Sequence, residues 1–247
     1  MKKAPIYIDS AVRLAQLADA AAVAAWLNQM SRHAIAHAVV APAEGYAAVY
    51  NREGNALLAR LVRRYPAQLS GLAVANPWRG PQAVCLLEKA FDDGLKGLFL
   101  CPPRQGFRLT ESIVDPLLEV CCRRRLPVYA HTGTPICSEP FQLAELARRF
   151  PSVTFIMGHA AYPDFWYDVT GALQQAPNLL VETSCQMTAV LQQAIDAAGP
   201  ERVLFGSGWP RSTPAIEIRK MRSMGLPAGS LEKIMRSNAM RCWGIRP

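Results

Sequence analysis

Two of the four histidines in this chain, His131 and His159, each stand at the end of a short apolar segment. Imidazole is the side chain whose ordinary pKa lies closest to neutral pH, so each could give or take a proton during a reaction. We expect one of the two to act as a general acid or base. The alternative is that both are hydrogen-bonded fixtures beneath the loops.

Three arginines and a tryptophan follow other apolar segments. Arg13, Arg104 and Arg211 could each present the planar set of donors that binds a carboxylate at two points. Trp209 could form the wall of a pocket for a flat ring. Together these residues predict a small anionic, carboxylated ligand. Each arginine could equally be a surface residue, and Trp209 could instead cap the fold or lie in a subunit interface.

The elements that must position these residues alternate along the chain. Apolar segments rich in β-branched residues predict eight strands: Ile6–Asp9, Ile35–Ala41, Ser70–Ala75, Gly97–Cys101, Val128–His131, Thr154–His159, Leu179–Thr183 and Val203–Gly206. Helical patterns lie between them: Gly54–Tyr65, Pro81–Asp92, Ile113–Arg124, Pro140–Phe150 and Met187–Ala198. Alternating units with continuously apolar strands are typical of a parallel sheet, and eight of them are typical of a closed barrel. We therefore predict an α/β protein, a (β/α)₈ TIM barrel that forms one domain over residues 1–247.

Chemistry in such a barrel takes place at the carboxyl ends of the strands. His131 and His159 close adjacent predicted strands, so both are expected at the same mouth. His33 and His37 straddle a predicted junction between a helix and a strand, and we interpret them as surface or packing residues. Cys185 also follows a strand and could be a nucleophile, although nothing in the sequence points to a lowered thiol pKa.

The strand ends resemble those of the amidohydrolase-related family, a branch of the metal-dependent amidohydrolase superfamily. The resemblance runs through GLKGLFL at 94–100, LPVYAHTG at 126–133, FIMGHA at 155–160, NLLVETS at 178–184 and RVLFGSGWP at 202–210. It covers nearly the whole chain. It implies a TIM barrel with hydrolase or decarboxylase activity, in which His131 is a metal ligand and His159 an acid or base.

The chain departs from the family pattern where the metal ligands are expected. The first strand of the family ends I-D-x-H-x-H, whereas Ala11 and Arg13 stand here in place of the two histidines. Gly208 replaces the metal-binding aspartate of the eighth strand. Since catalytic zinc takes three protein ligands and a cation repels a dication, we predict no metal and no other cofactor. Two interpretations of Arg13 are open: it takes over the positive charge of the metal, or the loop after strand 1 has rearranged and Arg13 is solvated or paired with an acid.

The net charge of +8 comes from dispersed basic residues. The densest clusters, Arg63–Arg64 and Arg123–Arg125, fall at predicted helix C-termini, where cations are favoured. We therefore predict no nucleic-acid partner.

No apolar run reaches the roughly 20 residues of a membrane span, and no leader sequence is recognisable, so we expect a cytoplasmic protein without a membrane partner. The seven cysteines lack C-x-x-C spacing, and we expect reduced, buried thiols at Cys85 and Cys101.

Three functions remain open from the sequence. The first is metal-independent hydrolysis of a lactone or ester, or decarboxylation, of a small carboxylated substrate. The second is a catalytically inactive barrel that binds a ligand or supports an active homologue as a partner subunit. The third is a metal hydrolase with relocated ligands, such as His131, His159 and either Glu182 or Asp164. We expect a homo-oligomer or a partner subunit, and under the second function Trp78 and Trp166 are interface candidates.

Overall fold

The structure is a computed structural model that describes residues 6–14 and 19–245, with the backbone alone for Glu44. Within these residues, eight strands alternate with helices as the sequence predicts. The strands are β1 Tyr7–Leu14, β2 Ile35–Pro42, β3 Leu69–Gly71, β4 Leu98–Leu100, β5 Val128–His131, β6 Phe155–Gly158, β7 Leu179–Glu182 and β8 Val203–Leu204.

The strands are all parallel and form a closed barrel. Hydrogen-bonded ladders run through β1–β2–β3 and through β4–β5–β6–β7–β8. Between β3 and β4, the Phe99 N–H donates to the carbonyl of Ala73 at 2.7 Å. Between β8 and β1, the Ser10 N–H donates to Phe205 and the Arg13 N–H to Trp209, both at 2.9 Å. These bonds close the circle, and the predicted (β/α)₈ barrel is confirmed.

Helices surround the barrel. They are α1 Ala20–Arg32, α2 Glu44–Ala48, α3 Asn51–Arg64, α4 Pro81–Asp92, α5 Pro102–Gln105, α6 Asp115–Arg124, α7 Pro140–Arg149, α8 Val169–Gln175, α9 Thr188–Ala198, α10 Pro214–Ser223, α11 Ala228–Glu232 and α12 Asn238–Trp243. The arginines of 63–64 and 123–124 lie in the last turns of α3 and α6, as predicted. Part of their charge is paired, since Arg123 and Arg124 contact Glu88 and Asp92 at 2.8 Å.

Side chains alternate between two apolar layers. On β5, Val128 and Ala130 pack against the helices, whereas Tyr129 points into the barrel with Phe99 and Ile156. Trp243 of the last helix joins this interior cluster. The period-two alternation therefore fills the barrel with side chains and directs every second residue of a strand towards its axis.

Several boundaries differ from the predicted ones. β1 continues to Leu14, because residues 12–14 pair with residues 40–42 of β2 after a register shift that follows Asp9. Arg13 therefore lies on a strand and not on a loop. β3 ends at Gly71 instead of at Ala75.

The sequence-based expectations for His37 and Cys85 have different outcomes. His37 is buried and hydrogen-bonded to the carbonyl of Ala67 and the hydroxyl of Ser70, so its predicted packing role is confirmed. Cys85 is exposed, which corrects the prediction that it is buried, because its side chain lies on the outer face of α4.

Within residues 6–14 and 19–245, no helix is long and apolar enough to cross a membrane.

Candidate functional site

A cavity of about 600 Å³ opens at the carboxyl ends of the strands. Its walls are mostly apolar, and its polar side chains come from β1, from β5 and from the segments that follow β6 and β8. The residues that line it are Ser10, Ala11, Val12, Arg13, Val39, Ala41, Ala43, Gly45, Leu72, Phe99, Tyr129, His159, Gly208, Trp209, Pro210 and Arg211. A cavity of this size and character is typical of a binding site for a small, largely apolar molecule.

Arg13 is held rigidly at this cavity by its backbone. It pairs with Ala41 of β2 on one side, and its N–H donates to the carbonyl of Trp209 on the other. The register shift between Asp9 and Val12 is the kind of irregularity that re-aims the residues beyond it. The guanidinium carbon then lies 5.1 Å from the centre of the Phe99 ring, a favourable cation–π contact.

The Arg13 guanidinium joins the two histidines that the sequence singles out. Its Nη2 lies 3.3 Å from Nδ1 of His131 and 3.1 Å from Nε2 of His159. We call these two contacts the Arg13 bridge. A guanidinium has donors only, so both imidazole nitrogens accept with their lone pairs. It follows that neutral His131 carries its proton on Nε2 and neutral His159 on Nδ1.

Both imidazoles are neutral at physiological pH. Burial, and then the charges of Arg13, Arg211 and Arg104, lower the pKa of His131 to about 3. Burial and the Arg13 charge also hold the pKa of His159 well below its usual value. The mouth of the barrel therefore combines a permanent cation with two uncharged bases.

A second hydrogen-bond chain leads from His159 into the barrel. Nδ1 of His159 donates to Oγ of Ser184 at 2.6 Å, and this hydroxyl donates to Oε2 of Glu182 at 2.9 Å. The Tyr129 hydroxyl donates to the same oxygen at 2.7 Å. Glu182 also accepts the backbone N–H groups of His159 and Ser184, at 3.0 and 2.5 Å. Burial raises the pKa of Glu182, whereas these four hydrogen bonds lower it and suit a carboxylate.

The other nitrogen of His131 has a weaker partner. Its Nε2 lies 3.4 Å from Oγ1 of Thr134, near the limit of a hydrogen bond. The two histidine rings are 5.5 Å apart in an edge arrangement. Both imidazoles are thus neutral, but the second nitrogen of His159 has a short hydrogen bond to Ser184, whereas that of His131 has only a long contact with Thr134.

The segment that carries His159 has an unusual backbone. His159, Ala160 and Ala161 have φ values of 60°, 44° and 58°. This left-handed region costs roughly 1–3 kcal/mol for a residue that is not glycine, and it is typical of functional sites. The surrounding contacts maintain it, including the bond from the His159 N–H to Glu182.

Gly206 and Gly208, which follow the eighth strand, lie so close to β7 residues and the segment after them that neither position has room for a side chain. A Cβ at Gly206 would lie 2.1 Å from Oε1 of Glu182, so a side chain there would displace the carboxylate. Gly208 has a φ of +64°, and a Cβ there would lie 2.9 Å from Cβ of Ser184. The aspartate of the family pattern therefore does not fit at position 208 with this backbone.

The remaining residues that the sequence predicts for ligand binding differ in whether they line the cavity. Arg211 is exposed and lines the cavity, and half-buried Trp209 lines it while packing 5.8 Å from Trp26. Arg104 is exposed on α5 and outside the cavity lining, although its charge contributes to the low pKa of His131. The structure thus brings Arg13, Arg211 and Trp209 together at the cavity, whereas Arg104 does not line it.

Two further sequence candidates receive no support from the geometry. Burial raises the pKa of Cys185 to about 11, so its thiol is protonated and a poor nucleophile. Asp164 is exposed and does not line the cavity. Sequence reasoning missed Tyr129 and Ser184, although strand alternation places Tyr129 inside the barrel.

The fold and the site together define the class: a TIM barrel with an arginine and two histidines in contact at the carboxyl ends of its strands. A sequence profile described as amidohydrolase matches residues 7–245. The chain therefore belongs to the amidohydrolase family, which confirms the resemblance seen in the sequence. No curated protein matches the chain significantly.

Solved structures of several decarboxylases share the fold. A 5-carboxyvanillate decarboxylase from Sphingomonas paucimobilis has a TM-score of 0.79 at 15% identity, covering 98% of this chain and 100% of that one. A dihydroxybenzoic acid decarboxylase from a Polaromonas species, solved with manganese and 2-nitroresorcinol, has a TM-score of 0.77 at 16% identity, with 98% of each chain covered. A 2,6-dihydroxybenzoate decarboxylase from Rhizobium has a TM-score of 0.74 at 16% identity, covering 98% and 99%. At these identities the likeness establishes the fold.

The residues of this chain do not fit a metal ion of the kind that the Polaromonas structure holds. In the described part of the chain, no group of three or more His, Cys, Asp or Glu residues is arranged to hold one. The Arg13 bridge also puts a permanent positive charge against the lone pairs of His131 and His159. Glu182 is already surrounded by four donors.

Proposed function

We propose that this chain is an enzyme that acts on a small aromatic carboxylic acid without a catalytic metal ion. The observation that carries the proposal is the Arg13 bridge beside a mostly apolar cavity. A guanidinium held between two neutral bases supplies a fixed positive charge where a metal would otherwise supply it. In this interpretation the loss of the metal ligands is matched by a gain, because the Arg13 guanidinium supplies the positive charge that the metal ion would supply.

The contacts of Arg13 support a binding role. Its Nη1 and Nε donate no hydrogen bond to any residue that the structure describes, so these donors are available to a ligand. Arg211 adds a second cation, and Phe99 and Trp209 add aromatic surfaces for a flat ring. A predicted role of Arg104 in substrate binding stays a prediction.

Decarboxylation is the reaction that we favour. The bond between the ring carbon and the carboxyl carbon breaks, CO₂ leaves, and the electron pair stays on the ring carbon. That carbon then takes a proton that one of the two histidines has first taken up from solvent. Arg13 stabilises the negative charge that the substrate retains, and the apolar walls favour the conversion of a charged carboxylate to neutral CO₂. The names of the three structural neighbours agree with this choice of reaction.

Hydrolysis of a lactone or ester is the second candidate. His159 is neutral, and its Nδ1 is supported by Ser184 and Glu182. Such an imidazole can take a proton from an attacking water, and Arg13 can then stabilise the oxyanion. An inactive barrel that binds the same ligands for a partner subunit is the remaining alternative.

The test is turnover by the full chain against a panel of hydroxybenzoates and aromatic lactones, with and without a chelator. We expect loss of CO₂, detected by chromatography of the products, at a rate that the chelator does not change. Arg13→Met should lower kcat/KM at least about a hundredfold. Arg148→Met, at an exposed position in the last turn of α7, is the matched control. Binding without turnover would support the inactive barrel, and activity that the chelator abolishes would contradict the proposal.

A further inference from the structure

The Arg13 bridge uses the donors that a carboxylate needs. Nη2 carries two hydrogens, and the bridge assigns one to each histidine. A carboxylate that binds a guanidinium at two points takes one hydrogen from Nη2 and the other from Nη1 or Nε. Two-point binding to Arg13 is therefore possible only if one histidine gives up its contact.

The two histidines differ in how readily they can do so. His159 lines the cavity, whereas His131 does not. The bond from Nδ1 of His159 to Ser184, at 2.6 Å, would keep the ring in place after its Nε2 contact is lost. The corresponding support for His131 is the 3.4 Å contact with Thr134.

We propose that a carboxylate bound to Arg13 displaces His159 from the guanidinium, and that Ser184 and Glu182 then position the freed imidazole as the proton carrier. This inference rests on the proposed function, because it takes an aromatic carboxylate as the ligand. It assigns the proton transfer to His159 and leaves His131 on Arg13. It also makes Ser184 and Glu182 positioning residues.

The proton transfer through His159 is balanced. Loss of CO₂ from a carboxylate consumes one proton in total, and solvent at the opening of the cavity supplies it. The freed lone pair of Nε2 takes up this proton, while Nδ1–H continues to donate to Ser184. The positive charge that forms on the ring faces the Glu182 carboxyl, which lies 3.5 Å from Nδ1 and is linked to it through Ser184. When the substrate carbon takes the proton from Nε2, the ring returns to its neutral form with the same tautomer.

The arrangement has a consequence for the empty enzyme. With no anion present, both lone pairs that could accept a proton are used by Arg13. Among the side chains that the structure describes, none of those lining the cavity is then a free base. Binding of the anion releases Nε2 of His159 from Arg13, so the substrate itself makes a base available at the cavity.

The experiment is nitrogen NMR of the histidine rings in the full chain, labelled with ¹⁵N-histidine and titrated with benzoate. Benzoate has the carboxylate and the ring but no group that commits it to the reaction. We expect the Nε2 signal of His159 to change on binding while its Nδ1 stays protonated and the signals of His131 stay in place. Quenching of tryptophan fluorescence, which we expect from Trp209 in the cavity wall, reports binding independently.

Variants of Ser184 separate positioning from structure. In the benzoate complex, where His159 has left Arg13, Ser184→Ala should let His159 populate both tautomers, whereas Ser184→Thr, which keeps the hydroxyl, should restore the Nδ1–H form. Arg13→Met should weaken benzoate binding by about tenfold or more, since it removes charge-assisted hydrogen bonds.

Three outcomes would overturn the inference. Benzoate that quenches the fluorescence without changing the His159 signals would show that no displacement occurs. A change confined to His131 would assign the exchange to the other histidine. No binding of benzoate at any concentration would show that Arg13 does not take up a carboxylate. The first two outcomes leave the proposed function intact, because turnover of the substrate panel tests it separately.

Discussion

Arg13 and His159 are 146 residues apart in the sequence, and their side chains meet at 3.1 Å between Nη2 and Nε2. The contact forms because β1 and the segment after β6 both end at the mouth of the barrel. It places a permanent cation on a neutral imidazole, so the same arginine can repel a metal ion and attract an anion.

The metal content of the protein should depend on Arg13. We expect the wild-type chain, purified without chelators from medium with zinc and manganese, to hold far less than one metal ion. The double substitution Ala11→His and Arg13→His should raise this content, since it removes the guanidinium and adds two ligands next to His131. Elemental mass spectrometry measures both. Stoichiometric metal in the wild-type chain that disappears with His131→Ala would contradict the proposed replacement.

Gly208→Asp should destabilise the protein instead of restoring a metal ligand. The left-handed φ of position 208 and the 2.9 Å approach to Cβ of Ser184 both oppose a side chain. We expect a loss of about 1–3 kcal/mol in the free energy of unfolding, or roughly 2–12 °C in Tm. Thermal unfolding measures this. Gly229→Asp is the control, since a Cβ at Gly229 meets nothing within 4 Å. Equal stability of the two variants would show that the backbone at position 208 adapts.

Asp9→Asn should alter how stability depends on pH. Burial raises the pKa of Asp9 from 3.8 to about 7, although hydrogen bonds from Ser207 and Ala11 lower it. Between these values the folded state binds more protons at this group than the unfolded state. The contribution of Asp9 to stability therefore falls as the pH rises through this window. Asparagine has no such dependence.

The expected result is a difference in the free energy of unfolding, variant minus wild type, that increases from pH 5 to about pH 7 and then levels off. The slope is at most about 1.4 kcal/mol per pH unit. Denaturant unfolding at a series of pH values measures it. Asp164→Asn, at an exposed loop position, should run parallel to the wild type. A constant difference for Asp9→Asn over this range would mean that Asp9 is ionised throughout.

The oligomeric state should respond to the loop aromatics if the predicted association occurs. Trp166 is 39% exposed and packs against the 59% exposed Tyr167 on the segment that follows β6. We expect Trp166→Ser to shift the protein towards monomer in light scattering. Ile6→Ser, which changes an exposed apolar residue at the start of β1, is the control and should leave the mass unchanged. An unchanged mass for Trp166→Ser would count against an interface on this face.

The sequence by itself determined the barrel and the position of its mouth. Apolar runs of strand length, separated by helical patterns, allow few folds other than eight parallel units. Because chemistry in this fold lies where the strands end, His131, His159 and Arg13 were identifiable before any contact was known. These are properties of local periodicity and chain order, which a single sequence contains.

Only the tertiary structure decided which of these residues interact. The register shift in β1 places Arg13 on a strand that reaches the two histidines, and a sequence pattern does not fix such a shift. The chain of hydrogen bonds through Ser184, Glu182 and Tyr129 joins β5 to β7 and to the segment after β6. The hydrogen-bonded pairs in this chain are separated by up to 53 residues, so they form only when the barrel closes. The charge of the site, and with it the proposed exchange at Arg13, is set by burial and by these distances, which exist only in the folded chain.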